Sequence, residues 1–236
     1  MDRQITLWFG ELLGSSSLLD ETILTLSSSH LIKGGALVAL LLYIWVAKPG
    51  QLGIGVQRTQ NQNRVTILTA LVASVFAEIF ALILSHKTDF RLRPFLEKSL
   101  DLQVPDRLQL LGPEMMTSSS FPSDHAILFF AIVGGIFMVS RGLGMFAFLY
   151  CSIFIALPRI YLGLHYTSDI LVGAAIGLFF AIAGTGLLAN SRIVRGTIGW
   201  SHSYPAVFYP VFFLFLYQVA TMLEDLRAFM QLLKLL

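Results

Sequence analysis

Residues 165–190 read HYTSDILVGAAIGLFFAIAGTGLLAN, and this stretch, from His165 to Asn190, decides the fold. After Asp169 no charged side chain occurs until Arg192. A helix of about 20 apolar residues is long enough to cross a bilayer. Working outward, similar apolar runs place six spans at 30–47, 64–85, 125–140, 143–161, 169–190 and 203–223. The chain of 236 residues is 56% hydrophobic and only 13% charged, with a mean hydropathy of +0.74. Soluble domains carry about 25% charged residues, so the charge deficit makes lipid the solvent. The expected fold is all-α: a polytopic six-transmembrane-helix bundle forming a single membrane domain over 1–236, without internal repeats.

Composition also excludes classes. A net charge of +2 leaves no footprint for nucleic acid. The one cysteine, Cys151, supplies neither an internal disulfide nor a cysteine-based zinc site, and it is expected as a packed membrane residue. The N-terminal segment 1–29 is too polar to span and lacks a small-residue cleavage site. Its Ile5, Leu7, Trp8, Phe9, Leu12 and Leu13 suit an interfacial amphipathic helix, with a loosely ordered terminus as the alternative. The tail 224–236 is also expected at the interface. Trp8, Trp45 and Trp200 fall near helix ends, where aromatic residues anchor. His30 and His202 have no partner pattern.

Six spans put loops 86–122 and 159–168 on one side, and 48–63, 141–142 and 191–202 on the other. The second side carries Lys48, Arg58, Arg64, Arg141, Arg192 and Arg195 without an acid. The positive-inside tendency makes that side cytoplasmic and turns the long loop 86–122 outward. That loop balances Lys87, Arg91, Arg93, Lys98 and Arg107 against Asp89, Glu97, Asp101, Asp106 and Glu114, so it is no polybasic lipid-binding tract.

Three polar clusters stand at the outward ends of the spans. The first is His86-Lys87 with Arg91-Leu92-Arg93-Pro94. The second is Phe121-Pro122-Ser123-Asp124-His125. Ser123 is a good N-cap before an apolar helix, and the free N–H groups of that first turn favour a phosphate. The third is Pro158-Arg159, then His165 and Asp169. A carboxylate four residues from a histidine reaches the same helix face, where it fixes the imidazole tautomer for nucleophilic attack on phosphorus. Guanidinium groups match phosphate oxygens with paired hydrogen bonds. The expected cycle has Arg93 and Arg159, helped by Ser123, holding the phosphate. His165, oriented by Asp169, forms a phosphohistidine, and His125 protonates the leaving oxygen and then activates water. No metal or cofactor is expected, because the carboxylates form no obvious magnesium cluster.

These motifs resemble the type 2 phosphatidic acid phosphatase (PAP2) family of membrane lipid phosphatases, which shares its site with vanadium haloperoxidases. The family pattern is lysine, six residues, Arg-Pro; then Pro-Ser-Gly-His; then Ser-Arg, five residues, His, three residues, Asp. Arg93-Pro94, Pro122-Ser123, His125, Arg159, His165 and Asp169 fit it, over a core of about 64–190. His86 stands at the lysine position with Lys87 one residue late, Asp124 replaces glycine and Pro158 replaces serine. The resemblance implies a six-helix bundle, His165 as nucleophile, His125 as general acid, and an outward-facing site in a bacterial plasma membrane; at the departures, either Lys87 or His86 can serve as the phosphate contact, and Asp124 is a further candidate substrate-binding residue. It also implies a lipid phosphate substrate, with undecaprenyl diphosphate first and phosphatidic acid, phosphatidylglycerophosphate or a lipid A phosphate as alternatives. Alternatives in other classes are a phosphotransferase using the same intermediate, a transporter built around the mid-span Glu78, and a non-catalytic scaffold. Oligomeric state is not legible.

Overall fold

A computed structural model of the chain describes residues 1–53 and 58–225. From residue 226 on, the tail expected at the interface lies outside the described residues. The elements are α1 (Asp2–Leu12), α2 (Ser17–Ser28), a π-helical turn Leu31–Gly35 running into α3 (Ala36–Val46), and α4 (Gln60–Lys87). The long loop holds a 3-10 turn (Pro94–Leu96) and the short helices α5 (Asp106–Gln109) and α6 (Gly112–Met115). There follow α7 (Asp124–Val139), α8 (Arg141–Cys151), a second π-helical turn (Ser152–Ala156), α9 (Leu157–Tyr161), α10 (Thr167–Leu188), α11 (Arg192–Ser203) and α12 (Pro205–Ala220).

Among the described residues, three helices are long and apolar enough to cross a membrane: α4, the continuous run Arg141–Tyr161, and α10. A fourth is made if α2 and Leu31–Val46, bent by 59° at their junction, count as one span. The expected count of six is therefore three or four by this measure. Helices α7 and α12 have 16 residues each, about 24 Å at about 1.5 Å per residue, against a hydrocarbon core of about 30 Å. The side chains of Ser123 and Ser140 fix the ends of α7: Ser123 caps its start, and Ser140 caps the start of α8 immediately after it.

The short α7 is the axis of the bundle, buried from Ala126 to Ile136, and it packs against α10, α4 and α8. In lipid, helices associate through close backbone approach at small residues. At Gly177 of α10 a Cβ would stand 2.3 Å from the Ile127 carbonyl oxygen, so α7 and α10 meet backbone to backbone.

On the side of the long loop, α1 and α2 fold back over the bundle. Leu13, Leu24, Val104, Leu108, Leu162 and Leu164 form a separate apolar cluster there. Two acids tie it down: Asp20 accepts from the Tyr161 hydroxyl at 2.6 Å and from Gly14 N at 2.9 Å, and Asp2 reaches Arg91 and Ser168. Segment 1–29 is thus a docked helical cap and not a loosely ordered terminus. The other reassigned residues are aromatic or histidine. Trp45 is fully buried against Phe208 and Phe212, with Arg64 donating to its carbonyl, so it packs where an interfacial anchor was expected. His202 contacts Arg64 and Asn61, and His30 lies 3.4 Å from Glu224. Cys151 is buried, as expected.

Candidate active site

The turn between α9 and α10 sets the site. Gly163 has φ +65, a backbone conformation that suits glycine, and its carbonyl accepts from Phe95 N at 2.9 Å. The Arg159 carbonyl accepts from both Leu164 N and His165 N, at 2.9 and 3.2 Å. The chain is thereby folded back so that His165 returns beside Arg159. Pro158 has no N–H to give, and the π-helical turn just before it is where the helix ladder adjusts.

His165 is 2% exposed. Its Nδ1 stands 2.8 Å from the Ser120 carbonyl oxygen. A carbonyl only accepts, so Nδ1 carries the proton and Nε2 the lone pair. Arg93 Nη1 lies 3.3 Å from that Nε2 and donates at 3.1 Å to the Leu164 carbonyl, while Nη2 donates to Ser118 Oγ at 3.2 Å. Burial pushes the His165 imidazole below its ordinary value; the nearby Asp169 opposes this, and Arg93 and Arg159 reinforce it. Burial also lowers Arg93, with Asp124 and Asp169 opposing.

Asp169 faces His165 as the expected histidine–carboxylate pair does, but its shorter bonds go to other groups. Its Oδ2 pairs with His165 Nδ1 at 3.8 Å, an ion pair when the imidazole is protonated. Oδ1 accepts from Arg91 Nη1 at 2.6 Å, and Oδ2 from Tyr166 N at 2.9 Å. Arg91 also donates to Ser168 Oγ at 2.8 Å and to Asp2 at 2.9 Å, with its guanidinium 3.9 Å from the Tyr166 ring centroid. The Tyr166 hydroxyl donates to Glu97, and that second bond, after one from Ser99, holds the Glu97 carboxyl low.

At the start of α7, Ser123 Oγ accepts from Ala126 N, and Ser123 N donates to the Asp169 carbonyl at 3.3 Å. Asp124 Oδ1 accepts from His125 N at 2.7 Å and lies 2.8 Å from His125 Nδ1. A cavity of about 630 Å³ opens beside these groups. Arg93, Asp124, His165, Thr117, Ser118 and Ser119 form polar wall, and Ala81, Leu82 and Phe90 apolar wall. His86 is on the wall, whereas Lys87 is exposed and not part of it. Arg159 is 7% exposed and acts electrostatically on Asp124, His125 and Arg93. Nε of Arg93, Nε of Arg159, Nε2 of His125 and Oγ of Ser120 are buried without a hydrogen-bond partner among the described residues.

Arg93, His165 and Asp124 at the start of α7 thus line one cavity, whereas the buried Arg159 and the half-buried His125 are not part of its wall. Sequence reasoning passed over three contributors: Arg91 as the partner of Asp169, Asp2 as the partner of Arg91, and Lys33. Lys33 sits buried in the π-helical turn of the first apolar run, where its charge acts with that of Arg159 on His125. A lysine inside an apolar run was the available signal for it.

Residues 65–193 match the family described as the PAP2 superfamily. A curated relative, the bacitracin transport permease protein BcrC of Bacillus licheniformis, is 32% identical over 122 residues, which are 52% of this chain and 55% of that protein. The chain therefore matches about half the length of that relative. A solved structure, described as the first transmembrane PAP2 type phosphatidylglycerolphosphate phosphatase from Bacillus subtilis, is 19% identical, with 81% of this chain and 86% of that chain covered and a TM-score of 0.46.

Proposed function

The chain belongs to the PAP2 superfamily, and from that premise we propose that it is a bacterial membrane lipid phosphatase acting through a phosphohistidine on His165. The observation that carries this reading is a set of buried nitrogens without a hydrogen-bond partner among the described residues, Arg93 Nε, Arg159 Nε and His125 Nε2, together with an imidazole whose Nε2 carries the lone pair and is met by Arg93 Nη1 at 3.3 Å. Buried polar atoms are nearly always paired, and one phosphoryl group would satisfy these.

In the proposed cycle Arg93 and Arg159 hold the phosphoryl oxygens and stabilise the charge that builds as phosphorus becomes five-coordinate. The His165 Nε2 lone pair forms the P–N bond as the P–O bond to the leaving oxygen breaks (the bridging oxygen of a lipid diphosphate, or the ester oxygen of a lipid monophosphate), and His125 gives that oxygen a proton. Water then attacks phosphorus, its proton passes to His125, and the P–N electrons return to His165. The substrate favoured is an isoprenoid lipid phosphate or diphosphate, with undecaprenyl diphosphate first. The apolar wall at Ala81, Leu82 and Phe90 would lead the chain of a lipid from the site into the bilayer. The six-span topology, with the long loop outward, is retained as part of the proposal.

Phosphate release from a panel of isoprenoid and glycerol lipid phosphates, by purified protein in detergent, tests it. Release that requires an added lipid or sugar acceptor would instead support phosphotransfer. The name of the relative favours a second reading, transport, in which the buried Glu78 of α4 lies on the path. Loss of transport with intact phosphatase activity in Glu78→Gln would support that reading.

A further inference from the structure

The position before His125 is where this chain departs most from the family pattern, with Asp124 in place of glycine. A carboxylate beside a phosphate site repels the substrate unless another group engages it. Here Asp124 is engaged by its neighbour: Oδ1 accepts from the His125 backbone N at 2.7 Å and stands 2.8 Å from the ring Nδ1. The carboxylate thus grips both the backbone and the ring of the residue that follows it.

We propose that Asp124 is a positioning residue for His125, holding the proton on Nδ1 and making Nε2 the nitrogen that exchanges a proton with the leaving oxygen and with water. This rests on the phosphatase reading above. Nε2 is the ring nitrogen left buried and without a partner among the described residues. The carboxylate also supplies a countercharge. Arg159 at the end of the neighbouring helix and Lys33 in the π-helical turn both bring positive charge to bear on His125, and Asp124 is the acid that offsets them. His165 and Arg93, on the other side, act on Asp124 itself. A dedicated acid matters most where the leaving oxygen is a poor leaving group, such as the isoprenyl alkoxide of a lipid monophosphate, and less where it is the bridging oxygen of a diphosphate.

The test uses full-length protein with Asp124→Asn, which keeps the shape and removes the charge, and Asp124→Gly, which installs the family residue and so supplies a second variant compatible with the fold. Phosphate release is followed against pH on an isoprenyl monophosphate and on 4-nitrophenyl phosphate, whose phenolate leaves without much help. Both variants should move the alkaline limb of kcat to lower pH by about one unit. They should also lose at least about tenfold more on the isoprenyl ester than on the nitrophenyl ester. An unmoved limb, or equal loss on both esters, in a folded variant overturns the inference. If wild-type protein releases phosphate from neither ester, the phosphatase reading fails first. If wild type turns over and His165→Ala does not, the phosphatase reading stands, and an unmoved limb in the Asp124 variants then counts against the role of Asp124 alone.

Discussion

Arg91 donates to the buried Asp169 carboxylate at 2.6 Å, so the acid four residues after His165 is held by a cation while the imidazole hydrogen-bonds to a backbone carbonyl. Asp169 in turn accepts from Tyr166 N at the start of α10, and its carbonyl accepts from Ser123 N at the start of α7. One residue thereby fixes the start of α7, which carries the proposed acid, against the start of α10, just after the turn that carries the proposed nucleophile.

Arg91→Ala should leave the fully buried Asp169 carboxylate uncompensated. Breaking a buried pair costs about 3–5 kcal/mol. Because Arg91 is about one-third exposed, the lower end, about 3 kcal/mol, is expected. Thermal unfolding in detergent should show the drop in Tm, and unchanged unfolding would contradict the pairing.

Asp169→Asn should lower kcat by less than about 10³-fold, well short of the complete loss expected for His165→Ala. Where an acid alone sets the histidine tautomer, its loss costs about 10⁴; here the Ser120 carbonyl at 2.8 Å keeps the proton on Nδ1. Single-turnover kinetics of the two variants side by side would measure this, and equal losses would show that Asp169 sets the tautomer after all.

The pH dependence follows from the depressed imidazole of His165, buried and beside Arg93 and Arg159. The nucleophile must be neutral, so the acid limb of kcat/KM should lie below about pH 6.5, the ordinary value for histidine. Stability runs the same way. The unfolded chain takes up this proton near that ordinary value and the folded chain does not, so the contribution of His165 to stability is full above about pH 6.5 and is lost as pH falls further. His165→Gln should flatten that part of a Tm-against-pH curve.

Gly177→Leu should separate α7 from α10, since even a Cβ there would meet the Ile127 carbonyl at 2.3 Å. Overpacking costs about 1–3 kcal/mol, and more where backbone is the obstacle. Loss of activity is expected with it, because α7 and α10 carry Asp124, His125 and Asp169. A folded, fully active variant would contradict the close approach.

Much of this was legible in the chain because the signals are local. The long apolar runs place α4 and α10 to within a few residues, Ser123 announces the start of α7, and the spacing from Arg159 through His165 to Asp169 marks the third cluster. What escaped depends on distant segments meeting. Nothing near Arg91 says that it pairs with residues 2 and 169, because charges on different segments are matched only after the helices pack. That α7 is the buried axis of the bundle was not legible, because an apolar run reads alike whether it faces lipid or neighbouring helices. Asp2 looks like part of a surface terminus until Leu13 and Leu24 are seen packed with Val104 and Leu108 of the long loop.

The most direct test of the central claim is to trap the covalent intermediate. Purified protein turning over an isoprenoid lipid phosphate labelled at phosphorus is quenched in alkaline detergent, which preserves a phosphorus–nitrogen bond, and the labelled residue is located by peptide mapping. The label should sit on His165 in wild-type protein and be absent from His165→Ala. Labelling of another residue, or phosphate release at full rate by His165→Ala, would contradict the account.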